Sequence, residues 1–453
     1  MTKSLKNLWE RFLFRDRGIV PTKNLLILFL LFSTVFIILA FLRDLSWTLV
    51  LFLNLLFISI SFIDLMLLPN NKQLKMKRNL PEEMERGLPY SINLAIDNNS
   101  SHPIGYRIID GIPQSFRRPF PLTGELRPNL SIVQSYETKA PVRGDYKIQE
   151  LYFRFRSRIG LWERQITFKQ EDTVKVIPDL TETKQYLENA QRYLMYEGVK
   201  IRKQQQGVGE FSKIRSYVVG DDPRKINWRQ TAKLYEVMTN EYEPEHGKYI
   251  TILIDCGRMM GAELTKGNRL EKALEAALVV VAAALQKGDY VSVLAFSKNV
   301  KVFVPAGKGM AHLHKILYSI YNLQVDAVEA NYGEVLQYLQ TVQKKRSLIL
   351  LFSDVRTFLH EESALIYLKK LRQRHLFLMI GIEDETLRTR IQEEPHNVQA
   401  TMIKSVAQKQ MILKKREKIK WEQQGLQMLE AREEQLAVSA VSSYIQIMNR
   451  GLL

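Results

Sequence analysis

The sequence predicts a multidomain membrane protein: a two-helix transmembrane hairpin, a β-sandwich (Ig-like) domain and an α/β domain with a mostly parallel, Rossmann-type central sheet. Three observations carry this. Residues 24–68 are apolar and almost uncharged, residues 79–178 alternate with a period of two, and from residue 248 onward Val/Ile/Leu runs are separated by helical patterns. A chain of 453 residues, 46% of them hydrophobic, has room for all three parts.

The first apolar run, Asn24 to Leu42 (NLLILFLLFSTVFIILAFL), carries no charged side chain and reaches the ~18 residues that mark a spanning helix. The second, Leu45 to Leu68, is interrupted by Asn54 and Asp64. A signal peptide is the rival reading of the first run, but no small-residue cleavage pattern follows Ala40 and the second run arrives at once. Lys3, Lys6, Arg11, Arg15, Arg17 and Lys23 precede the hairpin, Lys72, Lys75, Lys77 and Arg78 follow it, and only Arg43 and Asp44 lie in its turn. The positive-inside bias then puts both termini in the cytoplasm, at the cell (inner or plasma) membrane. Asp64 is expected near the cytoplasmic boundary, its carboxylate reaching the headgroups, with a functional intramembrane acid as the alternative.

The runs YSINLAIDNNS, GYRIIDGIP, SIVQSYETKAPVRGDYKIQELYFRFRS and VKVIP, punctuated by Asn, Gly and Pro, make a sandwich of about one hundred residues. No acid pair, histidine cluster or glycine loop stands out there, so a spacing or docking role is expected. A polar helix is expected from Leu180 to about Gln206. The α/β pattern then runs through KYITILID, NRLEKALEAALVVVAAALQKG, YVSVLAF, VKVFVP, SLILLFSD and HLFLMIGI, and ends with a basic helix (about 405–424), a strand at GLQMLEA and an amphipathic helix through SAVSSYIQIMN. The expected divisions are 1–23, a basic cytoplasmic N-terminus; 24–68, the hairpin; 79–178, the sandwich; 179–247, a connector; and 248–453, the α/β domain.

The net charge of +17 is spread along the chain without a nucleic-acid signature, which favours a membrane-side protein over a nucleic-acid binder. The single cysteine, Cys256, excludes an intrachain disulfide and is expected to pack as a small core side chain. GKG at 307–309 lacks the spacing of a phosphate loop, HExxH and GxSxG are missing, and no general base is evident, so an enzyme is not the expected reading.

Ligands of such a sheet gather beyond the carboxyl ends of its strands, where Asp255 closes one strand in IDCGRMMG and Asp354 another in LFSDV. In this the domain resembles the von Willebrand factor A fold, whose metal site uses an Asp-x-Ser-x-Ser loop, a Thr and a later Asp. Asp255 and Asp354 match, but Gly257 and Met259 stand where the serines would, and the loop at Asn331 and Tyr332 offers Asn where Thr is expected. The resemblance therefore implies a degenerate site at Asp255 and Asp354, with Mg²⁺ binding weak or absent because the ion wants six oxygens.

GEFSKIRSYVVGDDPRKINWRQTAK resembles the signature of a bacterial family, domain of unknown function 58: Gly209 or Glu210, Phe211, Arg215, Tyr217, Gly220, Asp221, Asp222, Arg224, Ile226, Trp228 and Ala232 fit it, as do RGDY, IGLW and YIQIMNRGLL elsewhere. Physically the motif reads as a stapled turn, with a ligand site as the alternative. Gly220 makes the turn, Asp221 or Asp222 caps before Pro223, Arg215 and Arg224 pair with those acids, and Ile226 and Trp228 dock on the sheet. The family resemblance implies a MoxR-type AAA+ ATPase as protein partner, gripped by a rim of Gly257, Arg258, Met259 and Met260. The expected function is a membrane-anchored cytoplasmic scaffold or adaptor; the alternative is a metal-assisted hydrolase acting through Asp255 and Asp354.

Overall fold

The computed structural model describes residues 18–43, 46–196, 210–243, 247–265, 267–359 and 362–450. The expectations placed on Lys3 to Arg17, Asp44 and Gly209 lie outside them. The chain forms two compact units, Met1–Ile177 and Pro178–Leu453.

In the first unit, helices α1 (Lys23–Arg43) and α2 (Trp47–Met66) are long and apolar enough to cross a membrane by length and composition. Phe32 stacks on Phe57 between them, centroids 4.8 Å apart. Polar side chains in these helices reach their own backbone: Thr34 Oγ1 donates to Leu31 O at 2.9 Å and Asn54 Nδ2 to Val50 O at 2.9 Å.

The strands of this unit form two sheets over one core. Strand β1 (Ile19–Pro21) precedes the first helix; β2 (Leu74–Asn79), β3 (Glu83–Glu85), β4 (Pro89–Asn98), β5 (Ile104–Asp110), β6 (Leu122–Leu126), β7 (Leu130–Lys139), β8 (Gly144–Arg156) and β9 (Trp162–Ile177) follow the second. One sheet runs β1-β9-β8-β5-β6 with β3 beside β9; the other runs β2-β4-β7. Alternation sends Ile92, Leu94 and Ile96 of β4 inward to meet Ile108, Leu151, Phe153 and Val174 of the larger sheet. The unit thus takes in Ile19–Pro21, which the sequence assigns to a basic tail, because those residues pair with Trp162–Arg164.

Two charged residues differ from expectation for the same reason, the geometry of their element. Arg78, counted above among the cytoplasmic flanking charges, shares the core face of β2 with Leu74, two pleats away, and is fully buried. Its guanidinium donates to Asp110 Oδ1 (2.6 Å), Asp172 Oδ2 (2.7 Å) and the carbonyls of Ile148 and Gln170 (2.9 Å each). Tyr136 donates to the other Asp110 oxygen at 2.6 Å.

Asp64 does not reach out to headgroups. It is 2% exposed and staples the β8–β9 loop to the end of α2, accepting from Leu161 N (2.8 Å), Trp162 N (3.0 Å) and Ser157 Oγ. Trp162 reinforces the staple by stacking on Phe62, centroids 5.2 Å apart. Asp64→Ala strands two buried amides and is expected to lower stability by about 1–3 kcal/mol. Hydrogen exchange at the β8 and β9 amides in detergent checks this, and unchanged rates would show that the staple contributes nothing.

In the second unit, α3 (Thr181–Tyr196) leads toward a two-stranded arm, β10 (Glu210–Ser216) paired with β11 (Met238–Glu243), which encloses the short helix α4 (Trp228–Leu234). The main sheet follows: β12 (Tyr249–Asp255), a small β13–β14 hairpin (Glu263–Leu264, Gly267–Asn268), β15 (Tyr290–Phe296), β16 (Val300–Gly307), β17 (Ser347–Phe352), β18 (Leu376–Ile382) and β19 (Gln427–Ala431). Its order is β16-β15-β12-β17-β18-β19, parallel except for β16. Strands buried on both faces explain the unbroken apolar runs. Helices α5 (Arg269–Gln286), α6 (Met310–Ile320), α7 (Tyr332–Val342), α8 (Val355–Leu359), α9 (Glu362–Arg372), α10 (Glu385–Gln392), α11 (Val398–Gln423) and α12 (Leu436–Asn449) complete the unit. Leu253, Leu351 and Met379 face a core shared with α7, α8, α9 and Trp421 of α11. Helix α5 is buried nearly all round and packs on α12, where Tyr444 donates to Asp289 at 2.7 Å. Consecutive strands diverge on either side of β12, so the sheet's switch point lies at its carboxyl end.

Candidate functional site

Asp255 closes β12 at that switch point and is 2% exposed. Its Oδ1 accepts from Gly257 N at 2.7 Å; its Oδ2 accepts from Tyr332 Oη at 3.0 Å and Ser353 Oγ at 2.6 Å, and those hydroxyls lie 2.8 Å apart. Burial pushes the Asp255 carboxyl above the usual range against the pull of these donors, with Asp354 adding to the rise. Burial, then the charge of Asp255, raises the Tyr332 hydroxyl well above its ordinary value.

Asp354 lies two residues beyond β17 and caps α8. Its Oδ2 accepts from Thr357 N (2.9 Å) and Thr357 Oγ1 (2.8 Å), while Oδ1 is ion-paired with Arg269 at the start of α5. The structure thus brings the two expected acids to one edge and gives each a full set of internal partners. Asn331 does not join them: its Oδ1 caps α7 by accepting from Glu334 N at 3.1 Å, and the next residue, Tyr332, reaches Asp255 instead.

These residues do not fit a divalent ion. Gly257 and Met259 offer no side-chain oxygen, a guanidinium already neutralises Asp354, and among the described residues no group of three or more His, Cys, Asp or Glu side chains gathers to hold a metal. The partners of the two acids that sequence reasoning missed are Arg269, Tyr332, Ser353 and Thr357. Only Ser353 and Tyr332, as chain neighbours of residues already singled out, left a signal.

The expected rim also changes. Gly257 and Met260 are buried, Met260 at 2% exposure, because the turn after β12 folds back: Arg258 N donates to Val328 O at 2.8 Å and Met260 N to Gly257 O at 3.0 Å. Met259 is half-buried, and Arg258 alone is exposed, paired with Glu329 at 2.9 Å. A thioether surface is therefore not what this edge presents.

The signature motif builds the arm. Arg215 grips Asp221 with two 2.8 Å bonds, and Asp221 Oδ2 also takes Val218 N at 3.0 Å. Tyr217 Oη donates to Asp221 O at 3.1 Å, and Gly220 turns the chain at φ +109°, a value that suits glycine. Asp222 caps Arg224 N at 3.0 Å ahead of Pro223, and Asn227 caps α4 through Gln230 N at 3.1 Å. Ile226 bridges to Thr239.

Trp228 does not dock: it is 69% exposed, as are Val219 at 97% and Tyr235 at 95%, with Val218 and Leu234 beside them in the sequence. A two-stranded arm has no second layer to bury such side chains. Arg224, expected to pair with the motif acids, is exposed, and so is Arg229. Arg215, Tyr217, Asp221, Asp222 and Asn227 are spent on the arm's own shape, whereas Val218, Val219, Trp228, Leu234 and Tyr235 are exposed.

Among known proteins, the chain is 24% identical over 210 residues to "Uncharacterized protein YeaD" of Bacillus subtilis (strain 168), which covers 44% of this chain and 48% of that protein. The match thus spans about half the length of the curated relative. Solved structures with similarity include the conserved hypothetical protein BatB from Bacteroides thetaiotaomicron, 15% identical with a TM-score of 0.31 over 45% of this chain and 100% of that chain. Another is a PapD-like domain of human CEP192, 12% identical with a TM-score of 0.17 over 24% and 89%. Residues 213–391, which take in the motif from Arg215 to Ala232 and both strand-end aspartates, match the family model described as "Protein of unknown function DUF58".

Proposed function

We propose that this protein is a membrane-anchored cytoplasmic scaffold whose second unit, a von Willebrand factor A-like domain with a degenerate ion site, binds a protein partner, and that the first unit's Ig-like sandwich spaces it from the bilayer. The partner this reading names is a MoxR-type AAA+ ATPase acting in the remodelling or activation of protein complexes. The observation that carries it is the outward apolar crest of Val218, Val219, Trp228, Leu234 and Tyr235 with Arg224 and Arg229 on the same arm. Exposed apolar side chains among cations, on a turn held rigid by Arg215 and Asp221, suit protein recognition. The hydrolase alternative draws less support, since both candidate acids already have internal hydrogen-bond or ion partners.

The test is co-purification of the tagged full-length protein with the cell's own ATPase. Trp228→Ala and Val219→Glu are expected to reduce recovery by about tenfold or more, the loss of one buried aromatic anchor. Arg258→Glu is expected to change it little. Absence of the ATPase, or equal recovery with both arm variants, would overturn the proposal.

A further inference from the structure

The larger sheet of the first unit carries a cavity of about 520 Å³ on its outer face, beside Asn24 in the first turn of α1. Four arginines line it, Arg107, Arg154, Arg156 and Arg158, against two glutamates, Glu125 and Glu163. The strand register explains the gathering. Thr123, Arg107, Arg154 and Gln165 lie across β6, β5, β8 and β9 in one row, and Glu125, Gly105, Arg156 and Glu163 in the next. Alternation along β8 sends Phe153 and Phe155 to the core and Arg154 and Arg156 outward, which is why LYFRFRSR spaces its arginines by two.

Gly105 opens the floor. A Cβ there would lie 3.3 Å from Arg156 Nε, so any larger side chain would fill the space between the two rows. Arg107 and Arg154 are directly opposed on neighbouring strands, a like-charge pairing that is unfavourable by itself. Glu163 meets Arg107 at 3.1 Å and Gln165 accepts from Arg154 Nε at 2.7 Å, and the lining as a whole, four arginines against two glutamates, carries more positive than negative charge. Burial holds the Arg154 guanidinium below its ordinary value against the pull of Glu163, with Arg107 adding to the fall, and a further anion would offset the repulsion from Arg107.

We propose that this cavity binds a phosphate group, recognised by the Arg107, Arg154 and Arg156 guanidinium groups over the Gly105 floor. Planar guanidinium forks match phosphate oxygens in pairs, and the volume accommodates a phosphate with its ester substituent. The Asp64 staple fixes Ser157, Leu161 and Trp162 at the end of α2, and Thr22 Oγ1 donates to Gly160 O at 2.6 Å at the start of α1. The cavity therefore opens where both apolar helices end, at the level of the headgroups. That placement favours an anionic phospholipid over a soluble phosphate, and it alone rests on reading the helices as membrane-spanning.

The experiment uses full-length protein, delipidated in detergent and then offered either inorganic phosphate in a calorimetric titration or nanodiscs of phosphatidylcholine with and without phosphatidylglycerol. Arg107→Gln with Arg156→Gln removes two accessible charges, and Gly105→Leu fills the floor while keeping every charge. Both are expected to weaken binding by about tenfold or more. Retention of phosphatidylglycerol with no response to phosphate assigns a lipid headgroup; a phosphate response without lipid preference assigns a soluble phosphoanion at the same site. Binding of neither probe, or wild-type binding by both variants, overturns the proposal. Circular dichroism of each variant separates loss of the site from loss of the fold.

Discussion

Arg78→Ala is expected to destabilise the first unit by about 3–5 kcal/mol, the cost of breaking a buried ion pair from one side. The substitution leaves Asp110 without its cation and Asp172 without a donor. It also takes a donor from each of the carbonyls of Ile148 and Gln170. Burial already raises the Asp110 carboxyl above its usual range in spite of Arg78 and Tyr136, so the acid would lose its chief stabilising neighbour and become protonated more readily. Because the chain holds more than one unit, a single melting curve would mix transitions. Hydrogen exchange read strand by strand avoids that. Amides of β2, β5 and β8 are expected to exchange more than about a hundredfold faster, and a change below about tenfold would show that the cluster is not what holds these strands together. Arg78→Met with Asp110→Leu is expected to recover part of the loss, since removing both charges spares the uncompensated one.

Arg269→Ala is the second large effect, and its size depends on cations. Arg269 is the cation paired with Asp354, and its removal leaves that carboxylate buried beside Asp255. The expected cost is about 3–5 kcal/mol in the absence of divalent ions. Millimolar Mg²⁺ or Mn²⁺ is expected to restore about 1 kcal/mol or more to the variant and nothing to the wild type, because an ion that binds only the folded state stabilises by mass action. Hydrogen exchange at the β12 and β17 amides, with and without each ion, decides the matter. Equal stabilisation of both proteins would mean that Arg269 does not stand in for an ion, and a variant as stable as wild type would mean that the pair contributes nothing.

The two edges of the second unit explain how the site came to be partly legible. Asp255 and Asp354 could be read from the sequence because each closes a run of apolar residues, and a strand's carboxyl end is a local property. Their partners could not. Tyr332 lies 77 residues from Asp255, Ser353 lies 98 from it, and Arg269 lies 85 from Asp354, so nothing local joins them. The same limit explains the rim: Met260 reads as an exposed thioether in a loop, yet the turn that buries it is held by Val328, some seventy residues on. Trp228 fails in the opposite direction. A large apolar ring is expected to be covered, and only the arm's two-stranded architecture leaves it in the open.

What the sequence by itself determined is everything that follows from period and length: two apolar helices, the alternating strands of the first unit, the continuous apolar strands of the second, and the self-contained turn in which Arg215, Gly220, Asp221 and Asp222 sit within eight residues of one another. What the tertiary structure alone decided is which charges face inward and which face one another. Arg78 became a core ion, Asp64 a staple, Arg269 the cation paired with Asp354, and Arg107 the neighbour of Arg154. The physical reason is that a charge's role is set by its desolvation and by the charges within a few ångströms of it, and both depend on strand register and loop closure between residues far apart in the chain.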